Sequence, residues 1–204
     1  GARRIVGVEG ALGMVQSTLG QEPLLATGSA QRPGLRVPVG WDGFEVGVRA
    51  VLGQQVSVAA AATLARRVVD RFGATLEGMP EGLDRQFPSP GMLAQAPLET
   101  IGLPRTRAAT VRSVAQAVVD GRLDFRAGQS LAGFVDRCVA LPGLEPWTAH
   151  YMALRALAPP HASPARDLVL QQAPARHARF THPPPQAPPQ PPRPLRPPAR
   201  LPLV

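Results

Sequence analysis

Apolar residues recur at every third or fourth position along most of residues 1–172, whereas no stretch alternates apolar and polar residues for more than a few positions. Spacing by three or four residues is typical of an amphipathic helix, whereas strict alternation is typical of a half-buried strand. The pattern therefore predicts an all-α domain with short connections. The predicted helical segments are one or two helices within 2–29, then 44–52, 57–72, 90–96, 106–120, 130–140 and 147–157.

Capping and turn residues separate these segments. Asp42 followed three residues later by Glu45 has the sequence of a capping box, and Ser89-Pro90 is typical of a helix start. Gly53-Gln54-Gln55 interrupts the apolar pattern between two of the predicted helices. These residues indicate where helices begin and where one gives way to the next.

The last 32 residues have a different composition. Residues 173–204 hold 12 of the 25 prolines and five arginines, and they contain no acidic residue. Such a segment buries too little apolar surface to offset the entropy of ordering, so we expect a disordered or polyproline II tail. We divide the chain into an N-terminal helical segment (1–36), a folded domain (37–172) and this proline- and arginine-rich tail (173–204).

Charge and residue usage exclude several kinds of chemistry. The tail carries five of the eight net positive charges, so the basic balance alone says little about nucleic acid. All 22 basic residues are arginine, which excludes a lysine Schiff base. The single cysteine, Cys138, lies in an apolar helical pattern and is predicted to be a core residue, with neither a disulfide nor an iron–sulfur cluster. We expect no metal and no cofactor, no membrane association and a reducing cytoplasm.

One stretch has the chemistry of a ligand site. Leu141-Pro142-Gly143-Leu144 is a predicted hairpin that leads through Glu145 into a helix beginning near Trp147. Free backbone N–H groups and the positive end of a helix dipole at such a point suit a phosphate. An aromatic ring there, with the Asp167 carboxylate twenty residues further on, would form a small chemical site beside it. His150 is expected to face away into solvent.

Several blocks of the sequence resemble the DNA-3-methyladenine glycosylase II family, part of the helix-hairpin-helix glycosylases. The blocks occur in the family's order at the family's spacing over roughly residues 30–172. They are Arg32-Pro33-Gly34-Leu35-Arg36-Val37-Pro38, Phe44-Glu45, Arg49-Ala50-Val51-Leu52-Gly53-Gln54-Gln55-Val56-Ser57-Val58, Ile101-Gly102-Leu103-Pro104-Arg105, Leu141-Pro142-Gly143 and Pro146-Trp147-Thr148-Ala149. The resemblance implies a helix-hairpin-helix fold. It also implies a monofunctional repair enzyme that flips an alkylated purine out of duplex DNA and hydrolyses its N-glycosidic bond.

The resemblance also implies roles for particular residues. Asp167 matches the catalytic carboxylate, and Trp147 and Tyr151 match aromatic walls of the base pocket. Bifunctional relatives carry lysine at the position of Trp147, so the resemblance implies no lyase activity. The implied DNA-binding residues are Gln55, which matches the wedge that fills the gap left by the flipped base, together with Leu141, Gly143, Glu145 and Thr148 at the hairpin.

Simpler structural roles stay open for the same residues. Asp167 also suits a helix N-cap, and Gln55 suits a hydrogen bond within a helix break. Trp147 and Tyr151 also suit packing in the core, with the Tyr151 hydroxyl at the surface.

Two departures from the family pattern lead to alternative functions. Glu145 replaces the second glycine of the hairpin, so a carboxylate stands where a phosphate is expected. After Gln172 the family continues with an amphipathic helical segment that carries further pocket walls. Here proline-rich sequence follows, and we interpret it as the product of a frame shift that removes those helices. The first alternative is therefore a catalytically impaired DNA-binding remnant.

The second alternative is an interaction protein whose proline-rich tail binds aromatic grooves. For the leading interpretation we expect a monomer in the bacterial cytoplasm, associated with the nucleoid. Its partner would be double-stranded DNA with alkylated bases.

Overall fold

The computed structural model describes residues 12–159, and within them the fold is helical with one isolated antiparallel bridge, between Thr75 and Arg85. The fold class predicted from the apolar pattern is confirmed. The helices are α1 (Leu12–Gln21), α2 (Pro23–Gln31), α3 (Gly43–Leu52), α4 (Val58–Phe72), α5 (Pro90–Gln95), α6 (Arg105–Val119), α7 (Leu131–Val139) and α8 (Pro146–Met152), with a 3₁₀ turn at Leu98–Ile101 between α5 and α6.

Four of these helices begin with a side chain that accepts a hydrogen bond from the first turn, as Ser and Asp do at N-caps. The caps are Asp42, Ser57, Ser89 and Ser130. Asp42 accepts from the Glu45 N–H at 2.7 Å, which confirms half of the predicted capping box. In a complete capping box the Glu45 carboxylate would accept a hydrogen bond from the backbone N–H of Asp42. Here it accepts instead from Arg49 Nε at 2.6 Å, one turn further along the helix.

Helix α6 lies at the centre of the domain. It packs against α3 and α5 and turns a fully buried apolar face to them. The core around it consists mainly of small and branched side chains, with Phe134 and Met152 as larger members. The others include Val48, Val51, Leu52, Val68, Leu93, Ala108, Val111, Val114, Ala115 and Cys138. Burial raises the pKa of the Cys138 thiol to about 12, which fits the predicted core role and leaves it without thiolate chemistry.

Helix α8 changes its winding after Met152. Residues Ala153–Leu157 form a π-helical turn, in which the Ala158 N–H donates to the Ala153 carbonyl at 3.1 Å. The Arg155 carbonyl accepts a hydrogen bond from the Gly40 N–H at 2.8 Å, which ties this turn to the segment before α3. The helix predicted over 147–157 is therefore confirmed, and its second half is wound as a π-helix.

The two N-terminal helices differ from the rest. They pack against each other, and they expose large apolar side chains such as Met14, Val15 and Leu25. The prediction of one or two helices within 2–29 is confirmed for its described part, while residues 1–11 lie outside the described range. In residues 12–159 no helix is both long and apolar enough to cross a membrane.

Candidate functional site

The hairpin between α7 and α8 is a tight turn at Leu141–Leu144. The Leu144 N–H donates to the Leu141 carbonyl at 3.2 Å, and Gly143 has φ +81°, so the chain forms a turn with Pro second and a left-handed Gly third. The Leu141 and Leu144 side chains are buried in the core. The exposed part of the turn is therefore the backbone around Pro142 and Gly143.

Helix α6 supports this turn from below. A Cβ built on Gly143 would overlap the Thr110 side chain, chiefly its Oγ1. Thr110 is itself fixed, because its hydroxyl donates to the Thr106 carbonyl at 3.1 Å. Position 143 therefore requires glycine for two reasons, the left-handed backbone and the close approach of α6.

The start of α8 leaves backbone donors without side-chain caps. Glu145 is the N-cap residue, but its side chain accepts no hydrogen bond from the first turn, and Pro146 follows at the first helical position. Within the described part of the chain, the N–H groups of Trp147 and Thr148 thus have no capping side chain. Glu145 has extended backbone (φ −90°, ψ 156°) that any residue adopts. What a glutamate changes at this point is the charge, since its exposed carboxylate stands beside donors that suit an anion.

A second turn lies beside the hairpin, at the break between α3 and α4. Gln54 Nε2 donates to the Gly143 carbonyl at 3.2 Å and to Thr148 Oγ1 at 3.0 Å. The next residue, Gln55, is exposed and has a left-handed backbone with φ +56°. A non-glycine residue seldom adopts this conformation, which costs about 1 kcal/mol.

Trp147 and Tyr151 are stacked on each other one helical turn apart. Their ring centroids are 5.6 Å apart with an interplanar angle of 17°, and the Arg155 guanidinium lies 5.8 Å from the Tyr151 centroid. A base sandwiched between two rings needs about 7 Å between them, since each stacked contact spans about 3.5 Å. The stacked rings therefore leave no room for a base between them.

The remaining predicted residues take different places. The Thr148 side chain is buried, and its hydroxyl accepts from Gln54, so it braces the hairpin. His150 is half-buried, and its Nδ1 is enclosed with no hydrogen-bond partner among residues 12–159, so the prediction of a solvated histidine was wrong. Asp167 lies outside the described residues, as does the tail. No group of three or more His, Cys, Asp and Glu within residues 12–159 is arranged to hold a metal ion.

Sequence reasoning missed three residues that join the two turns. Gln54 was treated as part of a helix break, and Arg107 and Thr110 as ordinary positions of α6. Arg107 donates to the Gln54 carbonyl at 2.7 Å, and Thr110 lies under Gly143. For Arg107 and Thr110 the sequence carried one signal, their spacing, because residues three apart lie on the same face of a helix.

A surface cavity of about 1050 Å³ lies elsewhere, lined by aromatic side chains that include Trp41, Phe44, Phe87 and Phe125. None of the predicted site residues within 12–159 lines it. In this part of the chain the cavity is therefore separate from the two turns and the stacked rings.

Comparison with known proteins shows the family of this chain. The sequence pattern of the HhH-GPD superfamily of base excision DNA repair proteins matches residues 48–187, well over half of the chain. The chain belongs to the HhH-GPD superfamily. The matched range takes in both turns, the stacked rings and Asp167, and it extends beyond Gln172.

Two relatives of this HhH-GPD chain are similar to it in sequence. It is 35% identical over 171 residues to a probable bifunctional transcriptional activator/DNA repair enzyme AlkA of Mycobacterium tuberculosis, covering 84% of this chain and 34% of that protein. It is 42% identical over 129 residues to DNA-3-methyladenine glycosylase 2 of Escherichia coli, covering 62% and 45%. The chain thus spans less than half the length of these relatives.

The fold likeness agrees with the family. A 3-methyladenine DNA glycosylase from Archaeoglobus fulgidus superposes with a TM-score of 0.70 over 85% of this chain and 60% of that one, at 22% identity. At this identity the likeness concerns the fold alone. The resemblance stated from sequence blocks is confirmed at the level of the family.

Proposed function

We propose that this HhH-GPD chain excises alkylated purines of the 3-methyladenine type from double-stranded DNA by base flipping and hydrolysis. The observation that carries the proposal is the stacked pair of Trp147 and Tyr151 on α8, the helix that follows the hairpin. The flipped base would stack on the face of Trp147 that is turned away from Tyr151. The N-glycosidic bond is inaccessible inside the duplex, so the base must leave the stack. An electron-rich ring attracts a positively charged methylated purine by about 0.5–2 kcal/mol.

In this proposal the two turns make different contacts with DNA. Gly143 and the uncapped N–H groups of Trp147 and Thr148 would bind a phosphate beside the lesion. Leu141 anchors that turn through its buried side chain. The exposed side chain of Gln55 would enter the gap that the flipped base leaves, as wedge residues do.

The chemical step is assigned to Asp167. A carboxylate beside the flipped nucleotide would stabilise the oxocarbenium-like sugar or orient the attacking water, as in other glycosidic cleavages. The chain contains no lysine, and Trp147 stands where lyases carry one, so no lysine side chain is present to form an imine with the sugar. We therefore assign base release without strand cleavage, by a monomer in the bacterial cytoplasm at the nucleoid.

The second candidate is a DNA-binding remnant that no longer releases bases. Glu145 favours it, because the exposed carboxylate stands at the point where a phosphate would be bound. A like charge there weakens the contact that fixes the protein on the duplex.

A base-release assay on methylated duplex DNA separates the two candidates. The full chain is compared with Asp167→Asn and with Asp70→Asn, which removes an exposed carboxylate on α4. Release of free 3-methyladenine that is lost in Asp167→Asn and kept in Asp70→Asn supports the glycosylase. Binding without release by the unchanged chain supports the remnant. Strand cleavage, or a covalent adduct trapped by borohydride, would contradict the monofunctional assignment.

A further inference from the structure

We propose that Gln54 is a positioning residue that holds the wedge Gln55 in fixed register with the phosphate-binding hairpin. The proposal rests on the proposed function, since it takes Gln55 as the wedge and the turn at Gly143 as the phosphate contact. Gln54 itself touches neither base nor sugar in this assignment. It acts through the geometry of the two turns on either side of it.

Gln54 is fixed at four points. Its N–H donates to the Val51 carbonyl at 3.2 Å, and its carbonyl accepts from Arg107 Nη2 at 2.7 Å. Its side-chain amide donates to the Gly143 carbonyl at 3.2 Å and to Thr148 Oγ1 at 3.0 Å. The side-chain bonds span 89 and 94 residues of sequence, so they join parts of the chain that no local turn holds together.

Helix α6 supplies the common support. Arg107 holds the backbone of the α3–α4 break, and Thr110, one turn further along the same helix, lies against Gly143. The side-chain amide of Gln54 makes the third contact, which joins the break to the hairpin. The three contacts fix the distance between the wedge and the turn that would bind the phosphate.

The backbone of Gln55 shows why such fixing matters. A left-handed conformation at a non-glycine residue persists only where its surroundings determine it. The bonds on Gln54 hold the residue directly before it, while the Gln55 side chain stays exposed. A wedge held in place before DNA binds loses less conformational entropy on insertion than a flexible one.

The test uses the full chain with Gln54→Leu, which keeps the volume and removes the amide, and Thr148→Val, which removes one acceptor only. Gln95→Leu, an exposed glutamine on α5, is the matched control. The first readout is the ratio of the affinities for a duplex with an abasic-site analogue and for an intact duplex. The second is the fluorescence of a separate duplex that carries 2-aminopurine at the position of the flipped base. Thermal unfolding of each variant is measured in parallel.

Gln54→Leu is expected to lower the preference for the abasic duplex and the fluorescence gain by roughly tenfold and Thr148→Val by less, with Gln95→Leu unchanged. In a double-mutant cycle, Gln55→Ala should have little further effect once Gln54 is leucine, because both act through one wedge.

Two results would overturn the proposal. The first is an equal loss of affinity for both duplexes in Gln54→Leu, or a lower unfolding temperature with the preference intact, since either indicates only a structural role. The second is additivity of the two glutamine substitutions. If the unchanged chain neither prefers the abasic duplex nor releases a methylated base, the proposed function fails as well, and that outcome is separate because it appears without any substitution.

Discussion

Each of the two turns of the candidate site contains one residue with a left-handed backbone, but the residue type differs between them. Gly143 at the hairpin has φ +81°, and Gln55 at the α3–α4 break has φ +56°. At the hairpin, helix α6 leaves no room for a Cβ. At the break, the residue carries a long polar side chain that points to solvent.

The proposed function assigns a different part of each turn to contact with DNA, and this difference supports that assignment. Where glycine occupies the strained position, the backbone itself can approach a partner closely. Where glutamine occupies it, the fold tolerates about 1 kcal/mol of strain to display a side chain. The hairpin is therefore built to present main-chain groups and the break to present Gln55, and the predictions below test that division.

The largest expected effect is on the stability of the hairpin. Gly143→Ala should lower the free energy of unfolding by roughly 3 kcal/mol, because alanine is strained at positive φ and its Cβ meets Thr110. Chemical denaturation measures the change. Gly78→Ala is the matched control, since Gly78 has φ +75° with open space around it, and it should cost about 1 kcal/mol. Equal losses in the two variants would show that the contact with α6 contributes nothing.

The second prediction concerns Gln55, where stability and binding should separate. Gln55→Gly relieves the strain of the left-handed backbone but loosens the unfolded chain, so the free energy of unfolding should change by less than about 0.5 kcal/mol. Without the side chain, the preference for an abasic duplex over an intact one should fall roughly tenfold. Denaturation and titration of the two duplexes measure both quantities. A clear loss of stability with unchanged preference would reverse the roles assigned to the turns.

Local patterns were enough to predict most of the helices. Apolar periodicity and the residues at Asp42, Ser89 and Ser130 located helix starts that the structure confirms. These signals are local, because a cap acts within its own first turn. The π-helical turn at Ala153–Leu157 left no such mark, since its apolar pattern differs little from that of an α-helix.

The site was predicted in part. The sequence blocks brought attention to Gly143, Trp147 and Gln55, which lie in the two turns and the stacked rings. The link between the turns was missed, because the bond from Gln54 to Gly143 joins residues 89 positions apart. A single sequence carries no periodic signal for contacts of that separation.

The third prediction tests the charge at the hairpin. Glu145→Gln keeps the shape and removes the carboxylate beside the uncapped donors of α8, so affinity for duplex DNA should rise about threefold at low salt. The gain should shrink as salt screens the charge. Glu81→Gln removes an exposed carboxylate near the C-terminal half of α4 and should change affinity less. Unchanged or weaker binding by Glu145→Gln would place the DNA away from the start of α8.

The smallest effect is expected on the far side of α6, away from both turns. Arg112 donates two hydrogen bonds to the Glu99 carboxylate, at 2.7 and 3.0 Å, and this pairing lowers the pKa of Glu99 from 4.5 to about 2. A carboxylate with a lowered folded-state pKa stabilises the fold above its unfolded pKa, and the contribution is lost as the pH falls towards 2.

The fourth prediction follows from that sign. The stability difference between the unchanged chain and Glu99→Gln should be constant above about pH 5 and should narrow between pH 4.5 and 2. Urea denaturation at pH 7 and pH 2.5 measures it. The preference for the abasic duplex at pH 7 should stay the same, because the pair holds α6 to the 3₁₀ turn and not to either turn of the site. A changed preference would mean that α6 does not support the two turns as a rigid element.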